Sequence, residues 1–428
     1  MAIPALVSSL GVPDWLITGC SELLTLRGPV PRRGRWLREL GIVRDGALLV
    51  RDDRIVAVGP RRKVERLGQA RRAEKLDLGG RVVLPGFVDS HTHLVFPTSR
   101  AEEYEQRIFG KTYREIARAG GGISATVRAV RHSSEKALSE CASARLREFA
   151  AHGTTTLEAK SGYGLNWKNE LKILSILQQL HQDQPLDIVQ TFLGAHVVPP
   201  EFRKRPETFV DLLVRAWIPA VAMAGLAAFC DVFCDRGAFS VPQARRILQT
   251  ARACGLVPRI HAEQFAKTGA ARLAVEVQAA SADHLDKIGR DDVRALALSN
   301  VVCTLLPGCS FHLGASRCAP ARELIAAGAI VALATDFNPG TSPTVSMPMI
   351  LSLACTQLRM TPAEALAAAT INPAYSLRQH GRVGSLEVGK YADLAAFDVA
   401  DYREIPYYFG VNLCKLTMKR GVVITTRS

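Results

Sequence analysis

The residues Asp89-Ser90-His91-Thr92-His93 stand at the end of a short apolar run, Leu84-Pro85-Gly86-Phe87-Val88. Side chains alternate along extended backbone, so His91 and His93 face the same way. Neutral imidazoles are good ligands for zinc or iron, and two on one face of a strand end can share an ion. A pair with this spacing decides nothing by itself, because short motifs recur by chance. Its weight comes from where the other polar groups fall. Glu158, Lys160, His196, His261, His284 and Asp336 each end or follow a short apolar run. His132, His152, His181 and His380 lie in helical or loop contexts and read as surface or packing residues.

The elements that must position these groups alternate along the middle of the chain. Strand-like runs at 86–90, 154–158, 187–194, 228–233, 257–261, 279–283, 301–304 and 330–335 are separated by helical patterns such as 135–150, 167–180, 242–253, 269–277 and 320–327. That alternation predicts a parallel α/β arrangement, and eight such units close economically into a (β/α)8 barrel, whose chemistry sits at the C-terminal strand ends. β-like patterns also flank the middle: Gly46 to Val50, a turn at Asp52-Asp53, and Arg54 to Gly59 on one side, with 384–398 and Val422-Val423-Ile424 on the other. The two ends are therefore expected to meet in one small β-sandwich. The expected organisation is 1–85 and 375–428 for that composite domain and 86–374 for the barrel.

Composition fits this reading. The chain has 428 residues, with 48% apolar and 22% charged residues, as in ordinary globular enzymes. The net charge of +14 is scattered, without a basic run interleaved with aromatics, so a nucleic-acid partner is not expected. The basic surface suits anionic small molecules. The ten cysteines show no regular framework, and Cys230/Cys234 and Cys303/Cys309 lack the two-residue spacing of structural zinc sites; they read as reduced, small buried hydrophobes. Residues 1–16 carry no positive region before their apolar residues, and the longest uncharged run, 216–230, is too short to span a bilayer. A cytoplasmic enzyme without a membrane partner is expected. The arginine-rich segment 29–40 reads as a solvated loop.

The chain resembles the amidohydrolase superfamily and, within it, the imidazolonepropionases of histidine degradation. The resemblance runs nearly full length, through Asp89 to Phe96, Gly120-Gly121-Gly122-Ile123, Lys160-Ser161-Gly162-Tyr163-Gly164, Gly194-Ala195-His196, His261-Ala262-Glu263-Gln264, Ala282-Asp283-His284-Leu285 and Thr335 to Thr341. The His-x-His segment marks only the superfamily; the tyrosine segment and the Asn338-Pro339-Gly340-Thr341 segment are more specific. The resemblance implies one zinc or iron ion per subunit, held by His91, His93, His261 and Asp336. A bound metal can lower the pKa of water from 15.7 to roughly 7, on the order of 12 kcal/mol. A carboxylated Lys160 bridging a second metal, as in other amidohydrolases, is not implied, and Lys160 is assigned a structural role.

By the same resemblance the reaction is hydrolytic opening of the cyclic amide of 4-imidazolone-5-propanoate to N-formimidoyl-L-glutamate. Arg100 and Tyr163 would hold the carboxylate arm, since a guanidinium forks onto a carboxylate. His196 and Gln264 would surround the ring, and Asn338, Gly340 and Thr341 would add contacts. Gln264 stands where some family members carry glutamate, and an amide cannot titrate. The general base is then Asp336 or His284, and the residue types leave both open. A homodimer is also implied. The rival readings are a deaminase or other cyclic-amide hydrolase of the superfamily, which would not need the Arg100 clamp, and a non-catalytic barrel scaffold, which would not need the full ligand set.

Overall fold

A computed structural model describes residues 13–427. The signal-peptide question falls largely on residues 1–12, which lie outside the described residues. Four strands come first: β1 (Trp15–Leu24), β2 (Ile42–Arg51), β3 (Arg54–Pro60) and β4 (Glu74–Pro85). The barrel strands follow as β5 (Phe87–Asp89), β6 (Thr154–Lys160), β7 (Asp187–Ala195), β8 (Phe229–Cys234), β9 (Val257–Ala262), β10 (Ser281–His284), β11 (Val302–Leu305) and β12 (Ile330–Leu333). The chain ends with β13 (Leu394–Phe397), β14 (Cys414–Lys419) and β15 (Val422–Thr426).

β5 to β12 form one eight-stranded sheet in sequence order, every recorded pair parallel. The ring is drawn together where Thr92 bridges Phe337 in parallel and the His93 amide donates to the Phe337 carbonyl at 2.8 Å. Asp89 reinforces that seam, accepting from the Thr335 amide at 3.1 Å and the Thr335 hydroxyl at 2.6 Å. Helices such as Glu135–Ala151, Trp167–Asp183 and Val241–Ala253 lie between the strands in the chain. Ser134, Asn166 and Ser240 cap these three with side-chain oxygens, satisfying amide groups left free in each first turn. The barrel strands are almost wholly buried, which is why they appear in the sequence as apolar runs instead of alternating patterns.

The seven remaining strands form a second sheet in the order β15-β14-β13-β4-β1-β2-β3, built from both chain ends. Its pairs are antiparallel except β1 with β4. The β2–β3 hairpin turns at Asp52-Asp53, with Arg51 opposite Arg54. Side chains from both ends, among them Ile17, Leu48, Val83, Leu394 and Met418, share one core cluster. Strand β4 runs into β5 with only Gly86 between them, so the outer sheet delivers the two histidines to the barrel mouth. A Cβ at Gly86 would lie 2.2 Å from Thr155 Cγ2, and glycine alone allows that approach.

The segment 29–40 is not the solvated loop its arginines suggest. Arg32 is fully buried, and its guanidinium donates to the carbonyls of Leu26 at 2.6 Å and Arg27 at 2.9 Å and also to that of Glu39. Arg33 donates to the carbonyls of Ala297, Ser299 and Gly328. Leu37 and Leu40 are buried between these anchors. Arg32 and Arg33 direct their guanidinium groups mainly at main-chain oxygens, which no composition count distinguishes from solvent exposure. Among the described residues no helix is long and apolar enough to cross a membrane.

Candidate active site and metal centre

The expected site residues converge at the C-terminal ends of the barrel strands. His91 and His93 lie just past β5, His261 in β9, His284 at the end of β10 and Asp336 three residues past β12. One ring nitrogen from each of His91, His93 and His261 lies within 4.8 Å of the others, and all three residues are buried. Asp336 Oδ1 is 3.4 Å from His91 Nε2 and 3.6 Å from His93 Nε2. Glu263, His284 and Asp336 hold positive φ angles of 55°, 77° and 52°, a costly conformation for residues with side chains that is concentrated at functional sites.

The donor set fits a cation. His91 Nδ1 faces Asp283 Oδ2 at 2.7 Å, so Nδ1 carries the proton and Nε2 keeps its lone pair. That lone pair has no hydrogen-bond partner and points towards a carboxylate, which repels it unless a cation sits between. His261 Nδ1 lies 3.1 Å from Asp231 Oδ2 without hydrogen-bond geometry, and its Nε2 has no hydrogen-bond partner among the described residues. Burial, and secondarily the positive charge of Lys160 and neighbouring imidazoles, holds the basicity of His91 well below the ordinary histidine range. Burial does the same for His93 and His284, so these rings are neutral. Burial alone pushes the Asp336 carboxyl up to about 7.

A charged layer beneath the histidines orients them. Lys160 Nζ contacts Glu158 Oε1 at 2.6 Å and Asp231 Oδ2 at 2.8 Å, and Arg259 lies 3.6 Å from Asp283 Oδ2. All five side chains are fully buried. Burial by itself would depress Lys160, but the carboxylates of Asp231 and Glu158 raise it instead, so it is an ammonium ion. Burial works against ionised Asp231, yet His261 and Lys160 hold it well below the usual carboxylate range. The Asp283–His91 hydrogen bond fixes that ring's tautomer and orientation. Asp231, Asp283 and Arg259 were not singled out in the sequence. Their signal was present: Phe229-Cys230-Asp231-Val232-Phe233-Cys234 and Ser281-Ala282-Asp283-His284 each set a carboxylate inside a buried strand, which is rare unless it is paired.

Above this layer opens a cleft lined by His93, Arg100, Tyr163, His196, Gln264, His284, Asp336, Asn338 and Thr341 together with Ile123, Phe233, His261 and Phe265. His196 stacks on His93 with ring centres 5.2 Å apart, and Tyr163 lies 5.6 Å from His93. His196 Nδ1 donates to the Gly162 carbonyl at 3.0 Å, leaving Nε2 as an acceptor, and burial pushes its pKa down to about 3. Arg100 is paired with Glu103, at 2.9 Å from Nε and 2.7 Å from Nη2. Gln264 Nε2 points at Cys309 Sγ, 3.2 Å away. Asn338 holds its own loop: Oδ1 accepts from the amides of Gly340 at 2.8 Å and Thr341 at 2.7 Å, while Nδ2 donates to the Asp336 carbonyl at 2.6 Å. Gly340 does not line the cleft. It packs against the Arg100 guanidinium with no room for a side chain.

Residues 82–424 match the model of the amidohydrolase family. The chain belongs to the amidohydrolase family. Among its curated relatives is an imidazolonepropionase of Geobacillus kaustophilus (strain HTA426), 49% identical over 410 residues that cover 94% of this chain and 96% of the relative. The imidazolonepropionase of Solibacter usitatus (strain Ellin6076) is 49% identical over 416 residues, covering 97% and 99%. Among solved structures, a triazine hydrolase variant superimposes with a TM-score of 0.73 at 18% identity over 96% of this chain and 95% of that one. An adenosine deaminase from Xanthomonas campestris with bound zinc gives 0.68 at 16% identity over 96% and 92%. At such identities these two show the fold: this amidohydrolase shares their barrel and flanking sheet.

Proposed function

We infer that this amidohydrolase is an imidazolonepropionase, opening the five-membered cyclic amide of 4-imidazolone-5-propanoate to N-formimidoyl-L-glutamate. The observation that carries the reading is near-half identity to enzymes of that name along almost the whole chain. The cleft agrees with it, pairing a buried histidine cluster with a guanidinium suited to a carboxylate arm.

His91, His93, His261 and Asp336 would hold one zinc or iron ion, a nitrogen and oxygen set that suits either metal. When bound, the ion supplies Lewis-acid polarisation of the ring carbonyl and makes a neighbouring water acidic enough to attack at neutral pH. Arg100, positioned by Glu103, grips the propionate with its guanidinium, and Tyr163 closes over the arm. His196 offers its Nε2 acceptor to a ring N–H. Asp336 accepts the proton of the attacking water and returns it to the ring nitrogen as the C–N bond breaks. The water oxygen ends in the new carboxylate, one water proton on the former ring nitrogen, and the other passes to solvent as the carboxylic acid ionises. His284 is held neutral by burial, which suits it to hydrogen-bond the reacting group.

Purified, metal-loaded protein is expected to consume imidazolonepropionate and yield N-formimidoyl-L-glutamate stoichiometrically. A loaded, folded protein that leaves the substrate untouched overturns the assignment. Elemental analysis of protein purified without added metal identifies the ion.

A further inference from the structure

His284, Cys309 and Asp336 form a second ligand cluster beside the first. All three are buried, and one ligand atom of each, an imidazole nitrogen, the thiol sulfur and a carboxylate oxygen, lies within 4.8 Å of the others. His284 Nδ1 has no hydrogen-bond partner among the described residues. Asp336 turns Oδ1 towards His91 and His93, and a carboxylate has a second oxygen to offer. Cys309 does not line the catalytic cleft. It lines a neighbouring pocket, and Gln264 and Phe265 line both spaces, so the thiol stands in the wall between them.

We propose that His284, Cys309 and Asp336 form a second, weaker site for a thiophilic divalent cation such as zinc or cadmium, and that filling it silences the enzyme. A mixed nitrogen, sulfur and oxygen set with one soft thiolate selects such ions over magnesium or calcium. Bond lengths of roughly 2.0–2.3 Å place tetrahedral ligand atoms about 3.3–3.7 Å apart, so the three side chains need close by no more than about 1.5 Å on binding. Rotation of the Gln264 amide, which already touches Cys309 Sγ, would bring its oxygen to a fourth position. On binding, the Cys309 S–H bond breaks, the sulfur–metal bond forms and the proton leaves to solvent, with no change of oxidation state. Silencing follows because the second ion engages the remaining oxygen of Asp336, which carries the proton in the proposed reaction, and His284, which hydrogen-bonds the reacting group. The inference rests on that reading only through this shared carboxylate and imidazole.

The test titrates metal-free protein with zinc and with cadmium, counting bound ions by equilibrium dialysis and following the ultraviolet charge-transfer band of a cadmium thiolate. The wild type is expected to bind a second equivalent that coincides with the band and with loss of activity. Cys309→Ser, which keeps an acceptor for the Gln264 amide, is expected to retain basal activity, lack the band and weaken the second affinity by about 10–100-fold or more. Protection of the Cys309 thiol from alkylation by cadmium gives the same readout in the unmutated chain. A wild type that binds one equivalent without the band and leaves Cys309 open to alkylation overturns the inference alone. An unchanged second affinity in Cys309→Ser does the same. A chain that binds no metal overturns the metal centre of the proposed function as well.

Discussion

Replacing Gly340 by alanine tests the substrate clamp through a residue that packs against the Arg100 guanidinium. A Cβ at this position would lie 2.1 Å from Arg100 Nη1, 2.5 Å from Cζ and 2.9 Å from Nη2. Ordinary carbon contacts lie near 3.5–4.0 Å, so the guanidinium must retreat by more than about 1 Å. The backbone at Gly340 is not left-handed, so alanine adds no conformational strain of its own. A charged hydrogen bond contributes about 1.5–3 kcal/mol, and losing that grip on the carboxylate is expected to raise KM by about 10- to 150-fold at 1.4 kcal/mol per tenfold. The loss falls on KM more than on kcat, because the arm is held in ground and transition states alike. Steady-state kinetics on imidazolonepropionate and on an analogue without the propionate arm form the assay. If Gly340→Ala keeps a KM within about twofold of wild type while its melting temperature is unchanged, Arg100 does not hold the carboxylate and the argument fails.

Three further outcomes are expected. Asp283→Asn weakens the partner 2.7 Å from His91 Nδ1 and should lower metal affinity about 10–100-fold, read by retention against a graded chelator; equal retention would show that His91 needs no such orientation. Lys160→Met leaves Glu158 and Asp231 as buried carboxylates without their ammonium partner and should cost about 3–5 kcal/mol in denaturant unfolding, whereas a cost under about 1 kcal/mol would mean that other groups neutralise that layer. Asp286 is buried beside the Ser310 hydroxyl, and burial pushes its carboxyl up to about 7. The folded chain therefore keeps this proton from roughly pH 4 to pH 7 after the unfolded chain has lost it, so the group lowers stability as pH rises through that window. Asp286→Asn should match wild type near pH 4 and exceed it at pH 8 by up to ~4 kcal/mol at 1.36 kcal/mol per unit; an advantage that does not grow with pH would refute the assigned shift.

Much of the site was legible in the residues. Strands buried on both faces must be apolar along their length, so the eight runs stand out, and a polar group directly after each run is placed at the barrel mouth by the fold alone. His91, His93, His261, His284 and Asp336 could therefore be grouped before any coordinates, and the Asn338–Thr341 segment narrowed the family. What the residues could not reveal is who faces whom. Asp283 meets His91 across 192 positions, Gln264 turns to Cys309 across 45, and Asn372 accepts from the Arg32 amide across 340. Such pairings arise when the ring closes between β5 and the loop beyond β12, which brings distant strand ends into one small buried volume. The sequence by itself determined which groups reach the mouth, because burial and alternation are local properties of each run. Only the tertiary structure decided that Cys309 sits beside Asp336, that Gly340 makes space for Arg100 and that Arg32 is interior, because contact between strand ends depends on closure and register.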